Sequence, residues 1–293
     1  MMYLTPPAGY RFSPTVFSHG WVQLPPFDHI REPRLILNRI LRLGDGALVK
    51  IQIEADGDNH RLQITADQSL NKTQSAEVQA ILRRCLSMDQ DLAAFYDTLR
   101  DHSRYHWVEQ HGAGRLLIGA TVWEDLAKTL LTTNTTWAMT RQMVGRLVTL
   151  GDAHAEGHAF PTPQQVAALS PEALNAHVRA GYRGDYLHTL AASIAEERVD
   201  VEAWYTSDLP SADLYKRIRS LKGFGDYAAG SVLRLLGRHD FLGIDSVARD
   251  RYRIQFNGGE KVPDSVITAH YEPYGEWRGL MLWMDVIAPE ETT

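Results

Sequence analysis

Two glycines in the last third of the sequence have a spacing that could bind an anion. In the stretch Leu221-Lys222-Gly223-Phe224-Gly225 they interrupt two segments of helical periodicity, which predicts a tight helical hairpin. Glycine lets another molecule approach the backbone closely, and the first amide groups of the second helix have no partner within that helix. With the helix dipole, those amides form a site suited to a phosphate. A plain helical turn rich in glycine is the alternative.

A single acid, Asp245, follows the hairpin by about twenty residues and opens another predicted helix. A carboxylate at such a position can act as a general acid or base, or stabilise a developing positive charge. It can equally be no more than a helix cap, because aspartate is a preferred residue at helix starts. Taken alone, neither the acid nor the hairpin decides between these roles.

Together the two elements resemble the signature of the helix-hairpin-helix DNA glycosylase superfamily. There, L-x-G-x-G-x-x-A-A is followed about twenty residues later by an apolar-Asp-x-x-apolar motif, and residues 221–229 and 244–247 match these two motifs. Three further stretches in the expected order are similar to the family's F-P-T-P loop, its L-G-Y-R helix junction and its tryptophan-rich tail: Gly157–Pro163, Ala180–Arg183 and Tyr271–Trp283. The resemblance covers roughly residues 115–287, and more weakly the N-terminal segment.

The resemblance implies cleavage of the glycosidic bond of a damaged base that is flipped out of double-stranded DNA. Asp245 would stabilise the oxocarbenium-like transition state and orient or deprotonate the attacking water. Family members that also cut the strand carry a lysine two residues after the second hairpin glycine, where this chain has Tyr227. Hydrolysis without lyase activity through that position is therefore expected, and no cofactor or metal is implied. The predicted DNA contacts are Lys222, Gly223, Phe224, Gly225, Asn134 and Arg249, and Arg249 could instead belong to a solvated face.

The excised base is predicted to be an alkylated purine. Such a base is cationic and stacks well on aromatic rings. The candidate pocket walls are Tyr227, Trp137, Tyr182, Trp277 and Trp283, each of which could instead be a core residue.

An 8-oxoguanine-type glycosylase is the alternative, because Asn134 falls in a stretch similar to one of that branch. The asparagine there fills the gap that the flipped base leaves in the duplex; a buried or capping amide is the other interpretation of Asn134. The histidine that follows the catalytic acid by two residues in the oxoguanine branch is Val247 here, which counts against it. A non-catalytic damage-binding protein of the same fold is a further alternative.

Periodicity predicts an α+β, mainly α fold, with a small N-terminal antiparallel sheet and a two-lobed helical region carrying the hairpin. Alternation over Ala47–Glu54 and again from Leu62 predicts a strand hairpin with a turn at residues 56–59, and an earlier strand is expected around Trp21–Leu24. Helical spacing follows from residue 78 onwards. The predicted domains are residues 1–105, β-rich with flanking helices, and 106–293, the helical glycosylase domain.

Bulk composition limits the classes of partner. The formal net charge of −6 excludes a uniformly basic surface, so contact with DNA would have to be local and directed at the backbone. The single cysteine, Cys85, excludes an intrachain disulfide and any multi-cysteine metal or iron–sulfur site. His154 and His158 have a spacing that can bind zinc, but a loop is favoured there. We expect no membrane segment, no secretion signal, a cytoplasmic protein associated with bacterial nucleoid DNA, and a monomer.

Overall fold

The computed structural model describes residues 2–57 and 60–289, so half of the predicted turn, Asp58 and Asn59, lies outside the described residues. Its described residues divide into two compact units. Unit 1 comprises those of Met1–Asp89 and Arg115–Ala203, and unit 2 those of Gln90–Gly114 and Trp204–Thr293. The predicted boundary after residue 105 falls inside the first segment of unit 2.

The N-terminal sheet of unit 1 is antiparallel throughout. The strands β1 to β7 span Met2–Leu4, Phe27–Ile30, Ile36–Arg42, Leu48–Ala55, Leu62–Ala66, Ala153–His154 and Gly157–His158. The first five form one sheet in the order β1-β5-β4-β3-β2, and β6 pairs with β7. In the predicted strand hairpin, Ile53 lies opposite Ile64 and Ile51 opposite Ala66. Val49, Ile51 and Ile53 are fully buried, which confirms the face that alternation assigned to the core.

Two details of this region differ from the sequence prediction. The strand expected around Trp21–Leu24 is wrong: Gly20–Gln23 is a 3-10 helix. Trp21 and Leu24 are both buried there, and a short run of apolar residues does not distinguish a strand from a helical turn. The longest unpredicted strand is β3, whose residues 37–41 are all buried, so that it shows no alternation.

Helices account for most of the remaining chain. The helices α1 to α14 span, in chain order, Phe12–Val16, Lys72–Cys85, Ala93–Leu99, His106–Gln110, Val122–Thr132, Trp137–Val148, Pro163–Ala167, Pro171–Val178, Tyr182–Ala195, Ser211–Ser220, Asp226–Leu235, Ser246–Phe256, Asp264–Tyr271 and Arg278–Ile287. Further 3-10 helices lie at Ser103–Tyr105, Glu202–Trp204 and Glu272–Trp277. The α+β, mainly α fold class is confirmed. Among the described residues, no helix is both long and apolar enough to cross a bilayer.

A buried charged cluster joins the sheet of unit 1 to α5. Arg39 of β3 and Lys128 of α5 both contact Glu124, with Arg39 Nη1 at 3.2 Å and Lys128 Nζ at 2.6 Å from Oε1. Burial alone would raise the pKa of Glu124, but the two cations outweigh burial and lower it to about 2. Because two cations share one carboxylate, this cluster depends on Glu124 remaining ionised.

The core of unit 2 is built from both of its chain segments. Leu92, Phe95 and Val108 of the first segment pack with Tyr252, Tyr271 and the apolar side of α14. Within this core, the carboxylate of Asp285 accepts hydrogen bonds from the hydroxyls of Tyr105, at 3.0 Å, and Tyr271, at 2.7 Å. Helices α10 to α12, which carry the glycine hairpin and Asp245, belong to the same unit.

Candidate functional site

The glycine hairpin forms as the sequence predicts. Helix α10 ends at Ser220, and α11 begins at Asp226 with Gly225 as its N-cap. Gly223 has a φ of +93°, a backbone conformation that side chains rarely adopt, which explains why glycine is needed there. Phe224 turns inward and is buried. No side chain caps the N-terminus of α11, and its N-cap residue, Gly225, is exposed.

Around Gly225 the backbone is open to approach. A Cβ atom built on Gly225 would have nothing within 4 Å. The side chain of Lys222 is exposed. The carboxylate of Asp226 accepts a hydrogen bond from the Tyr215 hydroxyl at 2.7 Å and forms an ion pair with Arg219, also at 2.7 Å. The hairpin therefore offers backbone amides and nearby cations on one exposed turn, the arrangement expected of an anion site.

Asp245 occupies the N-cap of α12. Its Oδ1 accepts a hydrogen bond from the amide of Ala248 at 2.7 Å, which fixes the side chain in one orientation. Oδ2 accepts no hydrogen bond from any described residue, and the side chain is half-buried. Capping and chemistry are thus compatible, because one carboxylate oxygen caps the helix and the other can contact a water or substrate.

Three glycines determine where the chain leading to Asp245 lies. A Cβ on Gly230 of α11 would stand 2.7 Å from the carbonyl carbon of Leu242, and one on Gly243 would stand 2.7 Å from Ser231 Oγ. On the other side, Gly279 of α14 donates its amide to the His239 carbonyl at 2.6 Å. Residues 239–243 therefore run in direct backbone contact with α11 and α14, and this contact positions Asp245 two residues later.

The aromatic candidates of unit 2 have different surroundings. Tyr227 lies half-buried in the first turn of α11. Trp277 packs against Phe95, with ring centroids 5.4 Å apart, and stacks on His239 at 5.6 Å. Trp283 is covered on one face by a guanidinium, that of Arg234, whose Cζ lies 4.5 Å from the ring centroid.

Arg234 is a candidate site residue that sequence reasoning missed. It lies on α11, buried, and burial lowers the pKa of Arg234 to about 10, a shift partly offset by Tyr227 and Asp245. The available signal was its spacing: Arg234 is seven residues after Tyr227, on the same face of an otherwise apolar helix. A charged side chain on the buried face of a helix is uncommon unless it is paired.

The candidates of unit 1 surround the loop between α5 and α6. Asn134 is exposed with a φ of +46°, and its Nδ2 donates to the Tyr182 hydroxyl at 3.4 Å. The buried side chain of Arg183 holds this loop, with Nε 2.7 Å from the Thr133 carbonyl and Nη2 2.7 Å from that of Asn134. Trp137 is 37% exposed and Tyr182 is 49% exposed, so neither is a core residue.

The remaining candidates are surface groups. Arg249 forms a two-pronged ion pair with Asp264, at 2.7 and 2.8 Å, which raises the pKa of Arg249 and already engages its guanidinium. The two histidines considered for zinc lie on the β6–β7 hairpin, where His154 contacts Asp67 at 2.8 Å and His158 Nδ1 lies 3.0 Å from the Gly151 carbonyl. Within the described part of the chain, no three metal-ligating side chains cluster.

Comparison with solved structures identifies the fold. The 3-methyladenine DNA glycosylase from Archaeoglobus fulgidus superposes with a TM-score of 0.77 over 98% of this chain and 99% of its own, at 16% identity. The Clostridium acetobutylicum 8-oxoguanine glycosylase/lyase, in complex with double-stranded DNA, gives 0.66 over 92% and 100%, at 14% identity. A DNA-3-methyladenine glycosidase from Bacillus halodurans gives 0.51 over 68% and 91%, at 18% identity.

This chain has a DNA glycosylase fold. No protein-family model and no curated protein matches the sequence. The similarity to the solved glycosylases covers nearly the whole chain, including the N-terminal sheet that the sequence motifs matched only weakly. The likeness concerns the glycosylase fold, so the activity has to be argued from the site residues described above.

Proposed function

We propose that this protein is a DNA glycosylase that hydrolyses the N-glycosidic bond of a damaged base flipped out of double-stranded DNA. The observation that carries the proposal is the pairing, within unit 2, of the open glycine hairpin with the oriented carboxylate of Asp245. The hairpin supplies a phosphate site, and the acid supplies the charge that the reaction needs. The solved structures of the same fold are named as 3-methyladenine and 8-oxoguanine glycosylases, in agreement with this chemistry.

In the proposed reaction, positive charge develops on the sugar as the bond to the base breaks. The carboxylate of Asp245 stabilises that charge, while Oδ2 orients the attacking water and accepts its proton. Oδ1 remains bonded to the Ala248 amide, so the acid does not have to be ordered when substrate binds. Water is the nucleophile in this proposal because Tyr227 stands where strand-cutting relatives carry an amine.

The proposal includes DNA contact by Lys222, Gly223, Phe224 and Gly225, a protein that acts as a monomer, and nucleoid DNA as its partner. Hairpin amides would hold one phosphate and thereby fix the register of the duplex without reading its sequence. Phe224 contributes through packing, because its side chain is buried. Arg249 would contribute only if DNA displaced Asp264 from its guanidinium.

Two classes of base fit the proposed reaction. The alkylated purines, predicted from the sequence, would stack on the half-buried ring of Tyr227. The 8-oxoguanine class is supported by Asn134, which projects from a braced loop with the exposure that a gap-filling residue needs. Single-turnover excision from duplexes that carry different modified bases separates these classes.

The decisive variant is Asp245→Asn, with Asp213→Asn as its control. Asparagine caps a helix about as well as aspartate, so the stability of Asp245→Asn should hold. Excision should fall about 10²–10³-fold, the usual effect of removing a preorganised stabilising group. Asp213, an acid in the first turn of α10, should tolerate the same change. Product strands should stay intact until alkali is added.

A wild-type protein that binds damaged duplexes but excises no base would instead indicate a damage-binding protein. Near wild-type excision by Asp245→Asn would show that the acid is only a cap. Both results are informative because stability, measured on the same variants, separates loss of chemistry from loss of fold.

A further inference from the structure

Arg234 carries a buried positive charge with no acid paired to it. The side chain is 7% exposed, and its Nη1 is fully buried without a hydrogen-bond partner among the described residues. No described carboxylate lies within ion-pair distance of the guanidinium, which instead stacks on Trp283 at 4.5 Å. An unpaired buried cation is costly to folding, whereas an apolar residue of similar size would not be.

The face of α11 that carries Arg234 is the one against which the segment leading to Asp245 packs. Residues 227, 230, 231 and 234 share one face of the helix, because they are spaced by three, four and seven residues. Gly243 lies against the Ser231 amide and the Tyr227 carbonyl of this face. Long side chains in a helix lean towards its N-terminus, so Arg234 is directed towards the turn of Tyr227. The carboxylate of Asp245 acts electrostatically on Arg234.

The charge of Arg234 has different effects on two kinds of leaving base. When water attacks the sugar carbon and its proton passes to Asp245, the electron pair of the broken bond stays on the base nitrogen. A neutral base therefore leaves as an anion, and a cationic alkylated purine leaves as a neutral molecule. Counted from the base still stacked in the duplex, a fixed cation stabilises the anionic base that leaves in the first transition state. It repels a cationic base as that base enters the site, and this cost offsets the help it gives when the base leaves as a neutral molecule.

We propose that Arg234 is a specificity-determining residue that selects neutral damaged bases, such as oxidised or deaminated purines, over cationic alkylated purines. This inference rests on the proposed glycosylase function and deepens it by choosing between the two classes of base. It acts through the electric field at the site and needs no direct contact with the base. In general, two unit charges about 7–10 Å apart at an effective dielectric constant of about 20 interact strongly enough to change a rate about 10- to 50-fold.

The test compares wild type, Arg234→Met and Arg234→Lys on two duplexes that differ only in hypoxanthine or 7-methylguanine. With enzyme below saturation, so that the single-turnover rate reports kcat/KM, we expect wild type to excise hypoxanthine about 10- to 50-fold faster than Arg234→Met does. Excision of 7-methylguanine should be unchanged or faster in Arg234→Met. Arg234→Lys retains the charge and should keep most of the wild-type ratio of the two rate constants.

The ratio separates this role from a structural one, because a damaged fold slows both reactions in parallel. The inference would be overturned if Arg234→Met left the ratio of the two rate constants unchanged, whether or not both fell, or if wild type preferred 7-methylguanine. Either result would leave the glycosylase function in place. A wild-type protein that excises neither of these bases nor any other on a wider panel would overturn the proposed function itself, and the inference with it. Should Arg234→Met not fold, Arg234→Gln provides the uncharged variant for the same ratio.

Discussion

The backbone contact between α11 and the segment before Asp245 can be tested with one methyl group. In Gly230→Ala, the new Cβ would stand 2.7 Å from the Leu242 carbonyl carbon, and the carbonyl oxygen is closer still. An ordinary contact begins near 3.4 Å, so the Leu242–Gly243 segment has to retreat by about 0.7 Å or more. Asp245 follows two residues later and has to move with it.

The expected cost has two parts. Overpacking a close contact typically costs about 1–3 kcal/mol, and the better helix propensity of alanine returns about 0.5–1 kcal/mol. We therefore expect a net loss of about 1–2 kcal/mol in the free energy of unfolding. A misplacement of about 1 Å can reduce a rate about 10²-fold, so excision should fall about 10- to 100-fold in protein that remains folded.

Gly145→Ala is the matched control. Gly145 also lies inside a helix, α6, but a Cβ there would meet nothing within 4 Å. This variant should be as stable as wild type or slightly more stable, with unchanged excision. Urea unfolding and single-turnover excision on the best substrate measure both quantities. If Gly230→Ala behaved like Gly145→Ala in both, backbone contact would not be what positions Asp245.

Two further predictions concern the hairpin and the buried cluster of unit 1. In Gly225→Val the side chain would enter open space, so the fold should hold while affinity for damaged and undamaged duplexes falls alike, by about 10-fold in fluorescence anisotropy; unchanged affinity would contradict the phosphate site. In Glu124→Gln the cations of Arg39 and Lys128 lose their carboxylate, which should cost about 3–5 kcal/mol at neutral pH. Because the pKa of Glu124 is lowered from 4.5 to about 2, its contribution is complete above pH 4.5 and is lost as pH falls towards 2, so the variant's deficit should shrink over that interval; a deficit independent of pH would refute this.

The elements that could be predicted from the sequence are those with a clear periodicity of apolar residues or a clear local signal at their ends. The strand from Leu48, the long helices, the hairpin at Gly223 and the helix start at Asp245 all have local signals: alternation, helical spacing, glycines or a capping acid. These signals are short-range, so they survive without knowledge of the tertiary contacts. The motif resemblance added the order in which they occur.

What the sequence could not show is set by tertiary burial. Residues 37–41 of strand β3 are all buried and show no alternation, because the polar residues among them have partners inside the protein: Asn38 accepts from Gln52, and Arg39 pairs with Glu124. Glycine is required at positions 230 and 243 because helix α11 and the segment of residues 239–243 pack directly against each other. For Arg234 the sequence offered only its helical spacing, because only the structure shows that no acid among the described residues pairs with its guanidinium.

The loop at Asn134 is held in a way that makes it open to engineering. Arg183 grips the carbonyl groups of Thr133 and Asn134, which every amino acid possesses, so the grip does not depend on the side chains at those positions. Only the φ of +46° at residue 134 restricts the choice, towards asparagine, aspartate and glycine. Thr135, beside it, carries no such restriction on φ. A library confined to these two positions could therefore change what the loop touches while the scaffold beneath it stays the same.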